Sequence, residues 1–213
     1  MPDPSSADEH YYISGYTVAD DPCVDANGVL INKLGLTTTA ELNAAEATLV
    51  AIRDATLRDG LPASFAFDLA GLQAIHYHLF QDIYPWAGDL RVVDIAKGNA
   101  FFLAHQEIAR VSGELLAALA AENCLQGLEE DEFTRRAGYY FGRLNHIHPF
   151  REGNGRTQRA FLRLLANQAG YVIDFSGCSA QAMIDACWQD RRDNDPSKLI
   201  RIIRVGLSRL GNP

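Results

Sequence analysis

The sequence lacks any apolar run near the roughly 20 residues a membrane-crossing helix needs. Its first ten residues, M-P-D-P-S-S-A-D-E-H, have neither the basic patch nor the apolar stretch of a secretion signal. The expected location is therefore cytoplasmic, with no membrane partner. Cysteine is scarce: Cys23, Cys124, Cys178 and Cys187 stand apart, with no C-x-x-C pair and no disulfide-like spacing. They are expected to be reduced packing thiols. Positive charge is also short, with 19 Lys and Arg against 27 Asp and Glu and a net charge of −8. That excludes a general nucleic-acid binder, which would show a basic face. Any phosphate chemistry must then rest on a local positive site, and Arg143, Arg151, Arg156, Arg159 and Arg163 supply one. No internal repeat, low-complexity segment or interdomain linker interrupts the chain.

What is present suits one globular domain: 213 residues, 47% of them hydrophobic. Residues 1–14 read as a flexible polar segment, and 15–210 as the domain. A turn-rich arm follows Tyr16. Thr38-x-x-Glu41 reads as a capping box starting a helix whose apolar stripe is Leu42, Ala45, Leu49 and Ile52, stopped by Gly60-Leu61-Pro62. Phe67-Asp68 opens a second helix buried through Leu69, Leu72, Ile75, Leu79 and Ile83. Arg91 to Ile95, a Lys97-Gly98-Asn99 turn and Ala100 to Leu103 read as a small hairpin. A third helix follows on Ile108, Val111, Leu115 and Leu119. A fourth, capped by Asp131, carries Phe133, Ala137, Tyr140, Phe141 and Leu144. Beyond Gly170 an extended Tyr171–Phe175 leads to a helix capped by Ser179. A last helix carries Leu199, Ile202, Ile203, Leu207 and Leu210, with Arg201, Arg204 and Arg209 on its wet side. The expected fold class is all-α, with seven or eight helices and one β-hairpin.

Metal-binding histidines are not indicated. His76 and His78, two apart on a helix, point about 200° apart. His146 and His148 have no Cys or carboxylate at ligand spacing.

The densest chemistry lies in His148 to Arg159, H-P-F-R-E-G-N-G-R-T-Q-R. Gly153, Asn154 and Gly155 can take backbone angles other residues avoid, so their N–H groups can line one concavity. Phe161, Leu164 and Leu165 follow at helical spacing, which puts this turn at a helix N-terminus, an anion site reinforced by the helix dipole. Arg156 and Arg159, one turn apart, can converge on the same anion. Glu152 beside it suits Mg²⁺, which takes a carboxylate with phosphate oxygens and water. His148, with an ordinary pKa of about 6.5, suits a general base. Pro149 and a buried Phe150 stiffen and anchor the loop.

The stretch resembles the signature of the Fic family, H-x-F-x-(D/E)-G-N-G-R-x-x-R, at every defined position, and the resemblance extends over roughly residues 15 to 205. It implies a protein adenylyltransferase: AMP passes from ATP to a Tyr, Ser or Thr hydroxyl of a target, and pyrophosphate leaves. ATP with Mg²⁺ would lie over Gly153–Gly155. Glu152 would hold the metal, Asn154 would sit at the α-phosphate, and Arg156 and Arg159 at the β- and γ-phosphates. His148 would take the hydroxyl proton. The hairpin, residues 91–103, corresponds to a flap that holds the target backbone by strand addition, through Val93, Asp94, Ile95, Lys97 and Gly98.

Fic proteins are restrained by a helix bearing (S/T)-x-x-x-E-(G/N). Ser5/Glu9 is followed by His10, Thr37/Glu41 by Leu42, and Glu122-Asn123 is preceded by Ala118, so no match occurs. The resemblance is thus to the toxin class, which implies a separate small antitoxin carrying that helix, with the ATPase subunits of DNA gyrase and topoisomerase IV as targets. Two alternatives stand beside it: a kinase-like or other nucleotide transfer, against which Gly155 argues, and an inactive nucleotide- or partner-binding module. A type IV secretion effector would be expected to carry its export signal in a second domain.

Overall fold

The computed structural model describes residues 21–97 and 100–211. Eight α-helices dominate them: α1 (Thr39–Ala55), α2 (Leu57–Gly60), α3 (Leu69–Phe80), α4 (Ile108–Ala121), α5 (Glu130–Ile147), α6 (Asn154–Gln168), α7 (Ala180–Asp193) and α8 (Ser197–Gly206). Two short antiparallel pairs complete the set: β1 (Ala96–Lys97) with β2 (Ala100–Phe101), and β3 (Tyr171–Ile173) with β4 (Leu207–Arg209). The helical class with a small hairpin is the expected one. Residues 1–14, expected to form a flexible segment, lie outside the described residues.

Helix α5 is the hub, packing on α4, α6, α7 and α8. Phe133, Ala137, Tyr140, Phe141 and Leu144 are all buried, as their spacing predicts. Close approach to α8 needs Gly138, because a Cβ there would fall 2.7 Å from Ile200 Cγ1. Helix α6 returns from the loop against α3 and α5. The loop between α5 and α6 therefore lies inside the fold, and Phe150 is buried beneath it.

Several local expectations are corrected. Thr38 does cap α1, accepting from Glu41 N at 3.3 Å, but the buried face is Leu42, Glu46 and Val50, and Ile52 is 59% exposed. A buried carboxylate rotates the helix away from its apolar stripe. Helix α1 also ends earlier than expected, with the single turn α2 before Leu61. Asp131 does not cap α5; Glu129 is the cap residue and makes no side-chain cap bond. Arg91–Ile95 is not a strand, and pairing begins only at Ala96. The last helix stops at Gly206, where a Cβ would collide with the Asp174 carbonyl. Asp174 N donates to Gly206 O at 2.9 Å, and residues 207–209 pair with 171–173 instead of continuing the helix. Arg204 and Arg209 are exposed and make surface ion pairs with Asp131 and Glu129.

Candidate active site

The α5–α6 loop opens onto a cleft of about 620 Å³, within the range of small-molecule sites. His148, Glu152, Gly153, Asn154, Gly155, Arg156 and Arg159 all line it. So do groups from distant segments: Glu46 of α1, Tyr84, Lys97 and Phe102 of the hairpin, and Cys187, Trp188 and Arg191 of α7. Phe150 does not line the cleft; it stacks on His76, centroids 3.9 Å apart, as the loop anchor.

His148 ends α5 in the left-handed conformation, φ 51° and ψ 64°, a strained state for a residue with a side chain. The carbonyls here are held by Arg91, whose side chain has no exposure. Its Nε donates to His148 O at 2.8 Å and its Nη2 to Ile147 O at 3.2 Å. Its other bonds go to Val93 O at 2.7 Å and to Leu103 O. One guanidinium thus ties the loop to the hairpin. Burial lowers its pKa to about 10, which still leaves it charged at neutral pH.

The His148 ring lies against Asn145 O, with Nδ1 at 3.1 Å. A carbonyl only accepts, so Nδ1 carries the proton and Nε2 is the basic nitrogen. Burial, with Arg91, Arg191 and Lys97 nearby, pushes the imidazole down to about 3 despite the Asn145 bond. This corrects the expected value near 6.5. The group stays neutral throughout the physiological range, in the form that accepts a proton.

Of the two motif glycines, Gly153 alone has a left-handed φ, 79°, and a Cβ there would collide with the Phe80 ring. Gly155 lies in the first turn of α6, where a Cβ would fall 3.3 Å from Arg159 Nη1, so it lets that guanidinium fold back over the turn. Helix α6 has no side-chain N-cap, which leaves its first N–H groups for a ligand. Asn154 uses its whole amide on Phe150: Oδ1 accepts from Phe150 N at 2.9 Å and Nδ2 donates to Phe150 O at 2.7 Å.

The two arginines differ. Arg156 pairs with Glu46, lies 3.3 Å from Glu152 Oε1, and covers the Phe80 ring at 4.9 Å. Burial lowers its pKa, but the two carboxylates outweigh burial and the net shift is upward. Arg159 makes no ion pair among the described residues, and burial together with Arg156 and Arg163 lowers its pKa. It is a cation available to an incoming anion.

Glu152 Oε1 accepts from Gly153 N at 2.7 Å, and Glu152 O accepts from His76 Nε2 at 3.0 Å. His76 Nδ1 accepts a hydrogen bond from Gly88 N at 2.8 Å, which fixes its tautomer. Among the described residues no cluster of three or more His, Cys, Asp or Glu could hold a metal. One cleft carboxylate still fits Mg²⁺, which keeps its waters and shares phosphate oxygens.

The flap residues are only partly placed as expected. Lys97 lines the cleft. Val93 and Ile95 are buried, and their carbonyls already accept from Arg91 and Phe102 N. Asp94 is occupied by His105 N at 2.7 Å and its ring at 3.0 Å. These three form the base of the hairpin; its outward apolar groups are Val92 and Phe101. Gly98 lies outside the described residues.

A Fic/DOC family profile matches residues 66–166. The protein adenylyltransferase VbhT of Bartonella schoenbuchensis is 42% identical over 189 residues, covering 87% of this chain and 39% of that protein. The probable protein adenylyltransferase y4lH of Sinorhizobium fredii is 38% identical, covering 80% of this chain and 88% of its own. The chain belongs to the Fic/DOC family. A solved structure of the Bartonella tribocorum BepC protein, a VirB-translocated effector with bound AMPPNP, superposes with a TM-score of 0.83 at 27% identity, covering 88% of this chain and 96% of that one. The chain therefore spans well under half of VbhT but most of y4lH. The enzyme class of these Fic/DOC relatives, protein adenylyltransferase, is the one the loop motif implies. No described helix is long and apolar enough to cross a membrane.

Proposed function

We propose that the chain transfers AMP from ATP to a hydroxyl of a target protein. The observation that carries this is the shared cleft: a neutral histidine, an uncapped helix N-terminus with an uncommitted arginine, and a carboxylate lie within one loop and its helix. The phosphates bind over the Gly153–Gly155 turn and Arg159; the AMPPNP bound in the BepC structure supports nucleotide binding. Glu152 would hold Mg²⁺, which would neutralise phosphate charge. The target hydroxyl of a Tyr, Ser or Thr gives its proton to His148 Nε2 as its oxygen bonds to the α-phosphorus. The bond from that phosphorus to the bridging oxygen breaks, and pyrophosphate leaves. A positioned base contributes about 10²–10⁴-fold.

The lack of the inhibitory motif in these 213 residues supports a toxin paired in the cytoplasm with a small antitoxin, whose (S/T)-x-x-x-E-(G/N) helix would bring a Glu to Arg159. The gyrase and topoisomerase IV ATPase subunits are the targets to offer first. The test is intact-protein mass spectrometry of a bacterial lysate and of those subunits after incubation with Mg²⁺-ATP. An added AMP that disappears with His148→Ala supports the reading. An added phosphate, or a His148→Ala variant of near-full activity, overturns it.

A further inference from the structure

The first arginine of the pair is already committed. Glu46, 5% exposed, sits on α1 far from the loop in sequence, and its Oε1 accepts from Arg156 Nη2. Its Oε2 accepts from the Tyr84 hydroxyl. Burial and the Glu46 charge both raise the Tyr84 pKa, so the phenol keeps its proton and remains a donor. Tyr84 is itself wedged by Trp86, rings stacked at 4.2 Å. On its other side the Arg156 guanidinium lies 3.3 Å from Glu152 Oε1 and over the Phe80 ring. The result is a line from Tyr84 through Glu46 and Arg156 to Glu152, with one cation between two carboxylates.

We propose that Glu46 is a positioning residue that holds Arg156 on Glu152 and away from the phosphates, so that the cleft takes metal-loaded nucleotide in preference to free nucleotide. The inference rests on the ATP-binding reading above. Its physics is Coulombic. The Glu46 carboxylate makes the potential around Glu152 one charge more negative than a neutral amide would, which favours a divalent cation and disfavours the bare anionic triphosphate. With a neutral amide at position 46, Arg156 loses one of its two carboxylate partners and keeps Glu152. The carboxylate then becomes a poorer cation ligand, while the guanidinium is free to meet a phosphate. A residue that merely packed α1 would move both affinities in the same direction.

The experiment is calorimetric titration of the full chain with ATP, once in EDTA and once in Mg²⁺, for wild type, Glu46→Gln and Tyr84→Phe. Glu46→Gln is expected to bind ATP more tightly in EDTA, about three- to tenfold. Its tightening by Mg²⁺ should shrink by about tenfold, the scale of one charge-assisted hydrogen bond. Tyr84→Phe, which removes only a hydroxyl, should move both in the same directions by less, and carries the test where Glu46→Gln does not fold. Variants that match wild type in both buffers, or weaken in both together, overturn the inference alone. A wild-type chain that takes no ATP in either buffer overturns the nucleotide reading and this inference with it.

Discussion

The ring of Phe102 lies flat on that of His148, centroids 3.8 Å apart and planes 20° from parallel. The Arg191 guanidinium lies over the Phe102 ring at 4.5 Å. A hairpin residue and an α7 residue therefore seal the imidazole, and burial is the largest cause of its depressed pKa. The wild-type rate should accordingly show no protonation step near pH 6.5, the free-histidine value. Phe102→Ala reopens the ring to water, so the acid limb of its rate–pH profile should move up toward 6.5. Identical profiles for the two proteins would contradict this account of the seal.

Stability should follow pH through two histidines. His76 and His148 are both pushed down to about 3, mainly by burial. Between that value and about 6.5 the unfolded chain binds more protons than the folded one, so unfolding free energy rises with pH and is lost as pH falls. Each histidine contributes a slope of about 1.4 kcal/mol per pH unit in that window. Chemical denaturation at pH 7, 6, 5 and 4 measures it. His76→Gln should roughly halve the slope, and a wild-type stability flat from pH 7 to 4 would show that the rings are not held neutral.

Much of this was legible because the loop carries its chemistry in consecutive residues. His148, Glu152, Gly153 and Arg159 line the cleft because a loop joining two packed helices has few ways to run. Helix α5 was legible from its stripe for the same local reason. What escaped was every group brought in from afar. Glu46 carries no local sign of its role, which comes from its bonds to Arg156 and Tyr84. Arg91 opens what looks like a strand, yet its side chain takes carbonyls from two segments. His76 was set aside as a metal ligand, and its bond to the Glu152 carbonyl follows only from packing. The apolar stripe of α8 runs on into Leu207 and Leu210, with nothing local to announce that Gly206 turns the chain into a strand.

The two motif glycines should respond oppositely to alanine. Gly153→Ala forces a left-handed φ on a residue with a Cβ, costing about 1–2 kcal/mol, and drives that Cβ into Phe80, adding about 1–3 kcal/mol of overpacking. Gly155→Ala meets only the movable end of Arg159, and alanine is favoured in a helix by up to about 1 kcal/mol. Denaturation should show the first variant clearly destabilised and the second equal to wild type or better. ATP affinity should fall in the second, because Arg159 is pushed off the turn. Equal losses of stability would refute the distinction.

Arg91 is the most consequential of the buried charges. Replacing it by methionine leaves the carbonyls of Val93, Leu103, Ile147 and His148 without this donor, and each buried unsatisfied group costs about 1–3 kcal/mol. The variant should lose more than about 3 kcal/mol and release His148 from its strained conformation. Lysine keeps the charge but has three donors on a single nitrogen, which cannot span acceptors on two segments as the planar fork does. Arg91→Lys should therefore fold with a smaller loss, while its turnover falls at least tenfold with ATP affinity nearly unchanged, since the phosphate side of the loop is built by Gly153 and Arg159. A lysine variant with normal turnover would show that His148 keeps its place without this anchor. One that loses ATP affinity and turnover together would show that Arg91 supports the whole loop and not the base alone.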